Sequence, residues 1–305
     1  MHPGRVNYFI PYIMMNFKRE IELSIVIISY NTRNITRNCL RSIQASLKNS
    51  SLKYEVVVID NASTDGSQTQ ILKLKAQNQN LKLKTIFNPK NTGFAKANNQ
   101  AVKQATGEYI LFLNSDTIVL NYSIIKLLNY YKNNEHKVHF LGGKLFEKDG
   151  ITPQPSCGPF YTLPVIFGAL FLKGDYWGLT RYSTNKIKEV DWISGACILT
   201  KREYLVNLGG FDEKIFMYMD EIDLLYRAKK KGYRVFFYPE AKFIHLASAS
   251  SNEKTYPIIQ VYRGFLYFYK KHHAGSDIFF LKILLKLKAL IALFIGKLTN
   301  NSYLK

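Results

Sequence analysis

Three short apolar runs alternate with amphipathic stretches over the first 120 residues of the chain. The runs are rich in β-branched residues and end in polar residues, a pattern that is typical of strands buried on both faces of a sheet. The stretches between them place apolar residues at helical spacing, with Asn, Asp or Gly near their starts. The predicted strands are LSIVIIS (23–29), EVVVID (55–60) and EYILFLN (108–114), and the predicted helices cover 34–47, 66–79 and 94–105.

Strands that alternate with helices pair in parallel through right-handed crossovers, so this half predicts an α/β fold with an open sheet flanked by helices. Ligands of such sheets bind beyond the carboxyl ends of the strands. All three predicted strands end there in polar groups, namely Ser29-Tyr30-Asn31, Asp60-Asn61 and Asn114-Ser115-Asp116. No G-x-G-x-x-G follows the first strand and the chain contains no G-x-x-x-x-G-K-[ST], so neither a dinucleotide Rossmann site nor a P-loop is supported.

The second half is less regular. Residues 150–178 are rich in Gly, Pro and aromatic residues, and we expect a loop or lid there. Beyond them, DEIDLLYRAKKKG (220–232) predicts a helix and YRVFFYPEA (233–241) predicts a strand. The acids that open this helix have two explanations, because they either stabilise its positive end or carry chemistry. His245 at a strand end and Trp192 in a half-buried segment likewise have a structural and a functional explanation.

The net charge of the chain limits the classes of partner that we expect it to bind. A formal net charge of +20 and a pI near 9.7 favour nucleic acid, an anionic membrane face or phosphorylated substrates. Cys39, Cys157 and Cys197 lack metal-type spacing and are odd in number, so we expect reduced thiols in the cytoplasm and no disulfide scaffold. Residues 1–22 are interrupted by prolines and lack a small-residue cleavage site, so they make a poor signal peptide and are expected to be an N-terminal extension.

The tail, residues 251–305, is both basic and apolar. It carries nine Lys or Arg residues against Glu253 and Asp277, a net charge of +7, and its longest charge-free run in the apolar part is Ala289–Gly296. That run is far shorter than the roughly 20 residues of a spanning helix. The pattern indicates an amphipathic helix in a membrane interface, with a helix packed on the domain as the alternative.

The polar strand ends lie in a series of motifs whose order and spacing resemble an inverting family 2 glycosyltransferase of the GT-A fold. Within that family the chain is most similar to the rhamnosyltransferase-like branch of bacterial surface polysaccharide synthesis. The resemblance covers about residues 23–250, which it implies to be one domain with a single nucleotide-binding, open mixed sheet. The motifs are SIVIISYN, VVVIDNASTDGS, NPKNTGFAKANNQAV, GEYILFLNSDT, WISGACILTKREYLVNLGGFDEKIF and MYMDEIDLLYRAKKKGYRVFFYPEAKFIHLASAS.

The resemblance implies roles for residues on the donor side. Tyr30 and Asp60 match residues that contact the base of the sugar nucleotide. Gly93, Asn98 and Asn99 match a loop and helix near the nucleotide. Trp192 matches a loop on the acceptor side of the family's site.

The resemblance also implies a metal site and a catalytic base. Asp116 matches the last acid of the family's D-x-D motif, which ligates a divalent metal, Mn or Mg, on the diphosphate, and His245 matches a histidine that can complete this site. Asn114 replaces the first acid of D-x-D, so we expect weaker metal affinity. Asp220 and Glu221 match the catalytic acid pair in reversed order, which leaves either residue as the base.

Together these features predict an enzyme that transfers rhamnose or a related hexose from a nucleotide sugar to a lipid-linked saccharide acceptor, with inversion, in O-antigen or capsule-type synthesis. We expect it to work as a peripheral protein at the cytoplasmic face of the cell membrane, where anionic lipids attract its lysines. A catalytically inactive sugar-nucleotide-binding protein is the main alternative. A nucleic-acid-binding protein is a weaker one, because the chain has no recognisable nucleic-acid motif and its lysines are spread along the chain.

Overall fold

The computed structural model describes residues 20–77, 81–247 and 255–298, which form twelve strands and nine helices. Most of the predicted N-terminal extension, residues 1–19, lies outside them. The strands are β1 (Leu23–Ser29), β2 (Tyr54–Asp60), β3 (Leu83–Phe87), β4 (Tyr109–Leu113), β5 (Thr117–Val119), β6 (Phe140–Phe146), β7 (Pro153–Gln154), β8 (Cys157–Gly158), β9 (Lys188–Val190), β10 (Trp192–Ile193), β11 (Cys197–Lys201) and β12 (Val235–His245). The helices are α1 (Arg33–Leu47), α2 (Ser67–Gln77), α3 (Phe94–Gln104), α4 (Ser123–Asn133), α5 (Leu163–Phe171), α6 (Arg202–Leu208), α7 (Asp220–Lys230), α8 (Thr255–His272) and α9 (Gly275–Leu298).

Ten strands form one mixed sheet in the order β3-β2-β1-β4-β11-β6-β12-β5, with β7 paired to β6 and β9 paired to β12. The first four strands of this order are mutually parallel, as the alternation of strands and helices predicts. β11 then runs antiparallel to both β4 and β6, so the sheet is mixed. The predicted α/β class and the open mixed sheet are therefore confirmed.

Alternate residues of the central strands belong to two separate apolar cores, one on each face of the sheet. Ile25 and Ile27 pack with α1, α2 and α4 on one face, whereas Val26 and Ile28 pack with α3, α7, α8 and α9 on the other. This division follows from the two-residue period of a strand. Because both faces are covered, the continuous apolar runs of the sequence are explained.

Two stretches differ from their sequence predictions. The stretch 150–178, expected to be a loop, contains the helix α5. Its first turn holds Pro164, a position where the missing N–H of proline costs nothing, and its apolar residues show no polar face that would reveal helical periodicity. The strand expected at 233–241 continues to His245, because Pro239 sits where the pairing of β12 with β6 shifts register between Tyr238 and Lys242.

The described part of the tail begins with α8, which packs into the core of the domain. Phe265, Phe268 and Tyr269 of α8, and Leu281 and Leu285 of α9, are buried in the same core as the residues of α7. No helix of the described residues is both long and apolar enough to cross a membrane. The sequence predicts a tail that begins near residue 251. The helices of this tail share one apolar core with the domain that precedes them.

A buried carboxylate holds the amino edge of the sheet together. Glu55 on β2 is 2 % exposed and accepts hydrogen bonds from Ser24 Oγ (2.6 Å) and from the amide and hydroxyl of Thr106 (2.6 and 2.9 Å). Its second oxygen pairs with Lys84 Nζ at 2.7 Å. Burial acts to raise the pKa of Glu55, but these hydrogen bonds outweigh it and lower the pKa.

We expect Glu55→Ala to lower the free energy of unfolding by about 2 to 4 kcal/mol, because it leaves the buried Ser24 hydroxyl and the Thr106 amide without this acceptor. Urea unfolding measures this loss. Glu55→Gln is the matched control, since it keeps one acceptor oxygen and should cost less. Equal stability of all three proteins would contradict the role assigned to this carboxylate.

Candidate active site

A cavity of about 820 Å³ opens at the carboxyl ends of β1 and β4, where the sequence places its polar strand ends. Loops that precede α3 and α7, the turn between β6 and β7, and the first residues of α8 complete its wall. Most of the predicted site residues meet here. Those that line the cavity are Tyr30, Gly93, Asn114, Asp116, Asp220, Glu221 and His245.

One wall of the cavity brings an amide, a carboxylate and an imidazole together. Antiparallel pairing of β12 with β5 puts His245 opposite Thr117, directly beside Asp116. His245 Nε2 lies 3.3 Å from Asp116 Oδ1 and 3.2 Å from Asn114 Nδ2. The residues of the predicted metal site are therefore adjacent in space, although 129 positions separate Asp116 from His245 in the sequence.

A relay of side chains fixes the tautomer of His245. Gln154 Nε2 donates to Glu147 Oε1 (3.2 Å), which leaves Gln154 Oε1 as the acceptor for His245 Nδ1 at 2.8 Å. Neutral His245 then carries its proton on Nδ1 and turns the lone pair of Nε2 into the cavity. Neither Glu147 nor Gln154 was predicted, because a tautomer relay from a hairpin has no sequence signature.

These donors suit a hard divalent cation. His245 Nε2 and Asp116 Oδ1 face each other at 3.3 Å, and Asn114 Oδ1 is buried with no hydrogen-bond partner among the described residues. Oxygen ligands with one imidazole are a common set for Mn²⁺ or Mg²⁺. The described ranges contain no group of three or more His, Cys, Asp or Glu side chains that could hold a metal ion, and the third donor here is the amide of Asn114.

The acid pair stands on a strained turn at the start of α7. Tyr218 and Met219 both adopt left-handed backbone conformations, with φ of 59° and 64°, immediately before Asp220 and Glu221. Consecutive non-glycine residues in this region cost about 1 to 3 kcal/mol each and are found mainly at functional sites. The turn aims both acids at the cavity.

The two acids have different surroundings. Asp220 is almost fully buried and its Oδ2 has no partner among the described residues, whereas Glu221 is partly exposed to the cavity beside Gly195. Burial, and then the charge of Glu221, raises the pKa of Asp220 well above its ordinary value. Burial also raises the pKa of Glu221, although backbone amides that include Gly195 oppose the shift. The two acids therefore compete for protons at this site.

Helix α7 is held in place by side chains of α8. Asp223, with no exposed surface, accepts from Arg227 Nε, Lys271 Nζ and His272 Nε2, each at 2.7 Å. Burial acts to raise the pKa of Asp223, but the hydrogen bonds from Lys271 and His272 and the charge of Arg227 keep it low. Higher on α8, a Cβ at Gly264 would lie only 2.8 Å from Met219 Cγ and 3.0 Å from its Cβ. The helix therefore touches the turn that presents the acids.

The opposite wall depends on an asparagine network. Asn61 donates to Asn91 Oδ1 (2.8 Å) and accepts from Asn88 Nδ2 (3.0 Å) and Thr92, which folds the loop before α3. Gly93 has a φ of +83°, and a Cβ there would lie 2.6 Å from the carbonyl oxygen of Phe216. Only glycine therefore allows this loop to meet the loop that leads to α7.

Four predicted residues do not line the cavity. Asp60 is fully buried, and its Oδ1 accepts from Ser63 N and Gln68 Nε2 while Oδ2 has no partner among the described residues. Asn98 and Asn99 are engaged locally, since Asn98 Nδ2 donates to Phe94 O and Asn99 binds the backbone of Phe211. Trp192 is 4 % exposed, and its Nε1 donates to Pro159 O at 2.8 Å.

Comparison with known proteins identifies relatives of this chain. Residues 24–160 match the family model described as Glycosyl transferase family 2. Over 214 residues the chain is 29% identical to the O-antigen biosynthesis protein RfbC of Myxococcus xanthus, covering 67% of this chain and 16% of RfbC. It is 27% identical over 209 residues to the N-acetylglucosaminyl-diphospho-decaprenol L-rhamnosyltransferase of Mycobacterium tuberculosis, covering 62% of this chain and 66% of that protein. The chain thus spans about a sixth of the first relative and about two thirds of the second.

The fold is shared with solved glycosyltransferases. The mannosyltransferase PcManGT of Pyrobaculum calidifontis, solved with GDP-Man and Mn²⁺, superposes with a TM-score of 0.58 at 19% identity, covering 90% of this chain and 70% of that one. This similarity confirms the GT-A fold. With the family match, it confirms the predicted class of glycosyltransferase: residues 24–160 match the family 2 model, and the relatives of the chain include a rhamnosyltransferase.

The contact between Gly264 of α8 and Met219 of the strained turn can be tested by substitution. Gly264→Ala forces Met219 to move, so we expect sugar-nucleotide turnover to fall about tenfold to hundredfold, as for other displacements of about 1 Å at a catalytic group. Alanine also favours the helix by about 1 kcal/mol, so the melting temperature should change little. Gly275→Ala, where a Cβ meets nothing within 4 Å, is the control. Unchanged turnover in Gly264→Ala would show that the turn does not depend on α8.

Proposed function

We propose that this protein transfers rhamnose or a related hexose, with inversion, from a nucleotide sugar to a lipid-linked saccharide during synthesis of a cell-surface polysaccharide. One observation carries the proposal: a single cavity contains both a set of cation ligands and a separate acid that is suited to act as a base. Inverting sugar transfer requires these two parts, one for the leaving diphosphate and one for the attacking hydroxyl.

The leaving-group side is the cluster of Asn114, Asp116 and His245. These residues would hold Mn²⁺ or Mg²⁺, which when bound neutralises the charge that develops on the departing nucleoside diphosphate. Gln154 contacts Nδ1 of His245 and so directs Nε2 towards Asn114 and Asp116. Tyr30 and Gly93 line the same cavity and would contact the nucleotide, with Asp60, Asn98 and Asn99 shaping the wall behind them.

Glu221 is the better candidate for the base. It is partly exposed to the cavity, so an acceptor hydroxyl can reach its carboxylate, whereas Asp220 is almost fully buried. Asp220, with its strongly raised pKa, would hold a proton beside it. Trp192 would act on the acceptor side through packing, because its indole is fixed to Pro159.

The relatives support the class of acceptor. The name of the mycobacterial relative specifies an acceptor linked through a diphosphate to a polyprenol, and the name of the relative from Myxococcus specifies O-antigen biosynthesis. The exposed apolar and lysine residues of α9 would bring this chain to anionic lipid at the cytoplasmic face of the membrane, as a peripheral protein.

Donor turnover tests the proposal. The purified chain is incubated with Mn²⁺ or Mg²⁺, a panel of UDP-, GDP- and dTDP-sugars, and lipid-linked saccharide acceptors, and nucleotide release is measured. We expect Glu221→Gln to lower kcat by about 100- to 10,000-fold, the usual worth of a general base. Asp116→Ala should abolish the metal dependence. Glu240→Gln removes an exposed acid on β12 and is the matched control.

The alternatives predict other results. Donor binding without turnover of any donor would identify an inactive sugar-nucleotide-binding protein. Steep, salt-dependent binding of nucleic acid without donor binding would identify a nucleic-acid-binding protein. A loss confined to Asp220→Asn, with Glu221→Gln active, would transfer the role of the base to Asp220.

The pH profile should carry the signature of Glu221. A base acts in its ionised form, so kcat/KM should decrease as the pH falls through the pKa of this group. Because burial raises that pKa from its ordinary value of 4.5, the decrease should begin at a higher pH than for an exposed glutamate. A profile that is flat down to pH values below the ordinary pKa would contradict this assignment.

The tautomer relay gives a binding prediction that needs no turnover. Gln154→Leu frees His245 to rotate and to change tautomer, so Mn²⁺ affinity measured by calorimetry should fall about 10- to 100-fold, as for other outer-shell partners of ligating histidines. Gln104→Leu, at the exposed end of α3, is the control. Equal Mn²⁺ affinity in both variants would remove Gln154 from the site.

A further inference from the structure

The exposed apolar side chains of this protein are concentrated in two places. Fifteen of the twenty-four large hydrophobic side chains that are exposed in the described residues lie on α9 or between residues 163 and 181. A soluble surface usually scatters such residues singly, and a concentration of this kind marks an interaction site. The second place, α5 with the loop that follows it, we name the α5 loop unit, residues 163–181.

The α5 loop unit is compact and fixed. Gly174 N donates to Gly168 O at 2.9 Å, and a Cβ at Gly174 would lie only 2.6 Å from Thr180 Cγ2, so the loop is folded tightly back on the helix. Asp175 then binds Thr180 Oγ1 and the guanidinium of Arg181. The tip is therefore held in place rather than left free to fold inward.

The tip of the unit carries two aromatic side chains that face solvent. Tyr176 is 79% exposed and Trp177 is 68% exposed, and their rings pack edge to face at 5.1 Å. Tyr and Trp are the residues enriched at the boundary between water and lipid, because each combines an apolar ring with a polar group. Exposure of both rings to water is otherwise unfavourable.

The unit and α9 are joined into one surface. Lys288 Nζ donates to Leu170 O at 2.6 Å and lies 5.8 Å from the ring centroid of Phe171, which in turn packs against the exposed Phe167. Next to Lys288 on α9, Leu287 and Ile291 are exposed. The apolar surface of α9 therefore continues onto α5.

The charge of this surface is positive. Lys173 of the unit and Lys282, Lys286 and Lys297 of α9 are exposed. The acids are engaged, since Asp175 pairs with Arg181, and Asp277 lies 3.2 Å from His273 Nδ1. An apolar surface flanked by unpaired lysines complements a bilayer with anionic headgroups better than it complements another copy of itself.

From this arrangement we infer that the α5 loop unit is a second membrane-contact element, which inserts Tyr176 and Trp177 into the headgroup region of an anionic bilayer beside α9. The inference deepens, and rests on, the membrane association proposed above. Arg181, four residues after Trp177, lines the cavity, so the unit connects the lipid surface to the site. A lipid-linked acceptor would then reach the cavity along this unit.

The chain contains its own reporter for the test. Trp177 and Trp192 are its two tryptophans, and Trp192 is buried, so a change in emission on adding lipid reports Trp177. Full-length protein without sugar nucleotide is mixed with vesicles of phosphatidylcholine with or without phosphatidylglycerol. We expect a blue shift, and quenching by lipids brominated on their acyl chains, with the anionic vesicles. Trp177→Phe should still bind these vesicles but lose both signals.

Affinity provides an independent measurement. Trp177→Ala should weaken cosedimentation with anionic vesicles about tenfold, because it removes one large ring from the contact. Tyr122→Ala, which removes an exposed ring next to α4, should not change it. Both variants alter surface residues, and their folding is checked by melting temperature.

Three results would overturn the inference. The first is vesicle binding with unchanged emission from Trp177, which would leave α9 as the contact. The second is no binding to anionic vesicles. The third is a dimer in solution in which Trp177 is already shielded from iodide before lipid is added, which would make this surface an interface between copies. Failure of donor turnover in the assay above leaves these binding results intact, so the two proposals fail separately.

Discussion

The buried carboxylate of Asp223 is the interaction on which the arrangement of the site depends. It sits on α7 within one turn of Asp220 and Glu221, and it binds Arg227 of its own helix together with Lys271 and His272 of α8. A buried carboxylate requires such partners, because without them its desolvation would be costly. The cluster therefore locks α7 to α8, and α8 in turn supports the left-handed turn through Gly264 and supplies Tyr256 and Pro257 to the cavity. The tail helix is thus a structural part of the active site.

The candidate metal site, formed by Asn114, Asp116 and His245, is also held by hydrogen bonds but contains less charge. Replacement of an acid by Asn114 leaves an amide that donates to His245 and an oxygen with no partner among the described residues. The relay from Glu147 through Gln154 compensates by fixing the imidazole. Pre-orientation of a ligand lowers the entropy lost when a cation binds, so a site with one formal carboxylate can still be selective.

The sequence predicted the sheet, its parallel half and most of the cavity, because these depend on local patterns. β1, β2 and β4 match the predicted runs within one residue at each end, and the polar groups that follow β1 and β4 line the cavity. It did not predict α5, whose apolar residues lack a polar face, and it ended the strand of β12 at Ala241, although the strand continues to His245 through a register shift with β6. It also could not predict Gln154, Gly264 or Lys271, because their roles arise from contacts between segments far apart in the chain. The prediction that Asn98, Asn99 and Trp192 act at the site relied on the resemblance, and that for Asp60 relied also on its place at the end of a strand. All four side chains lie behind the cavity wall.

Gly264 and Met219 pack so closely that a Cβ at position 264 would collide with Met219. This contact limits how segments of such proteins can be exchanged. The family match ends at residue 160, yet the candidate base, the imidazole ligand and the helix that supports them all follow it. A tail grafted from a related enzyme would have to supply a residue without a side chain opposite Met219, and a lysine and a histidine that contact Asp223. The proposed membrane contact of α9 is therefore not a detachable module, because α8, the helix that leads to it, also forms part of the cavity wall.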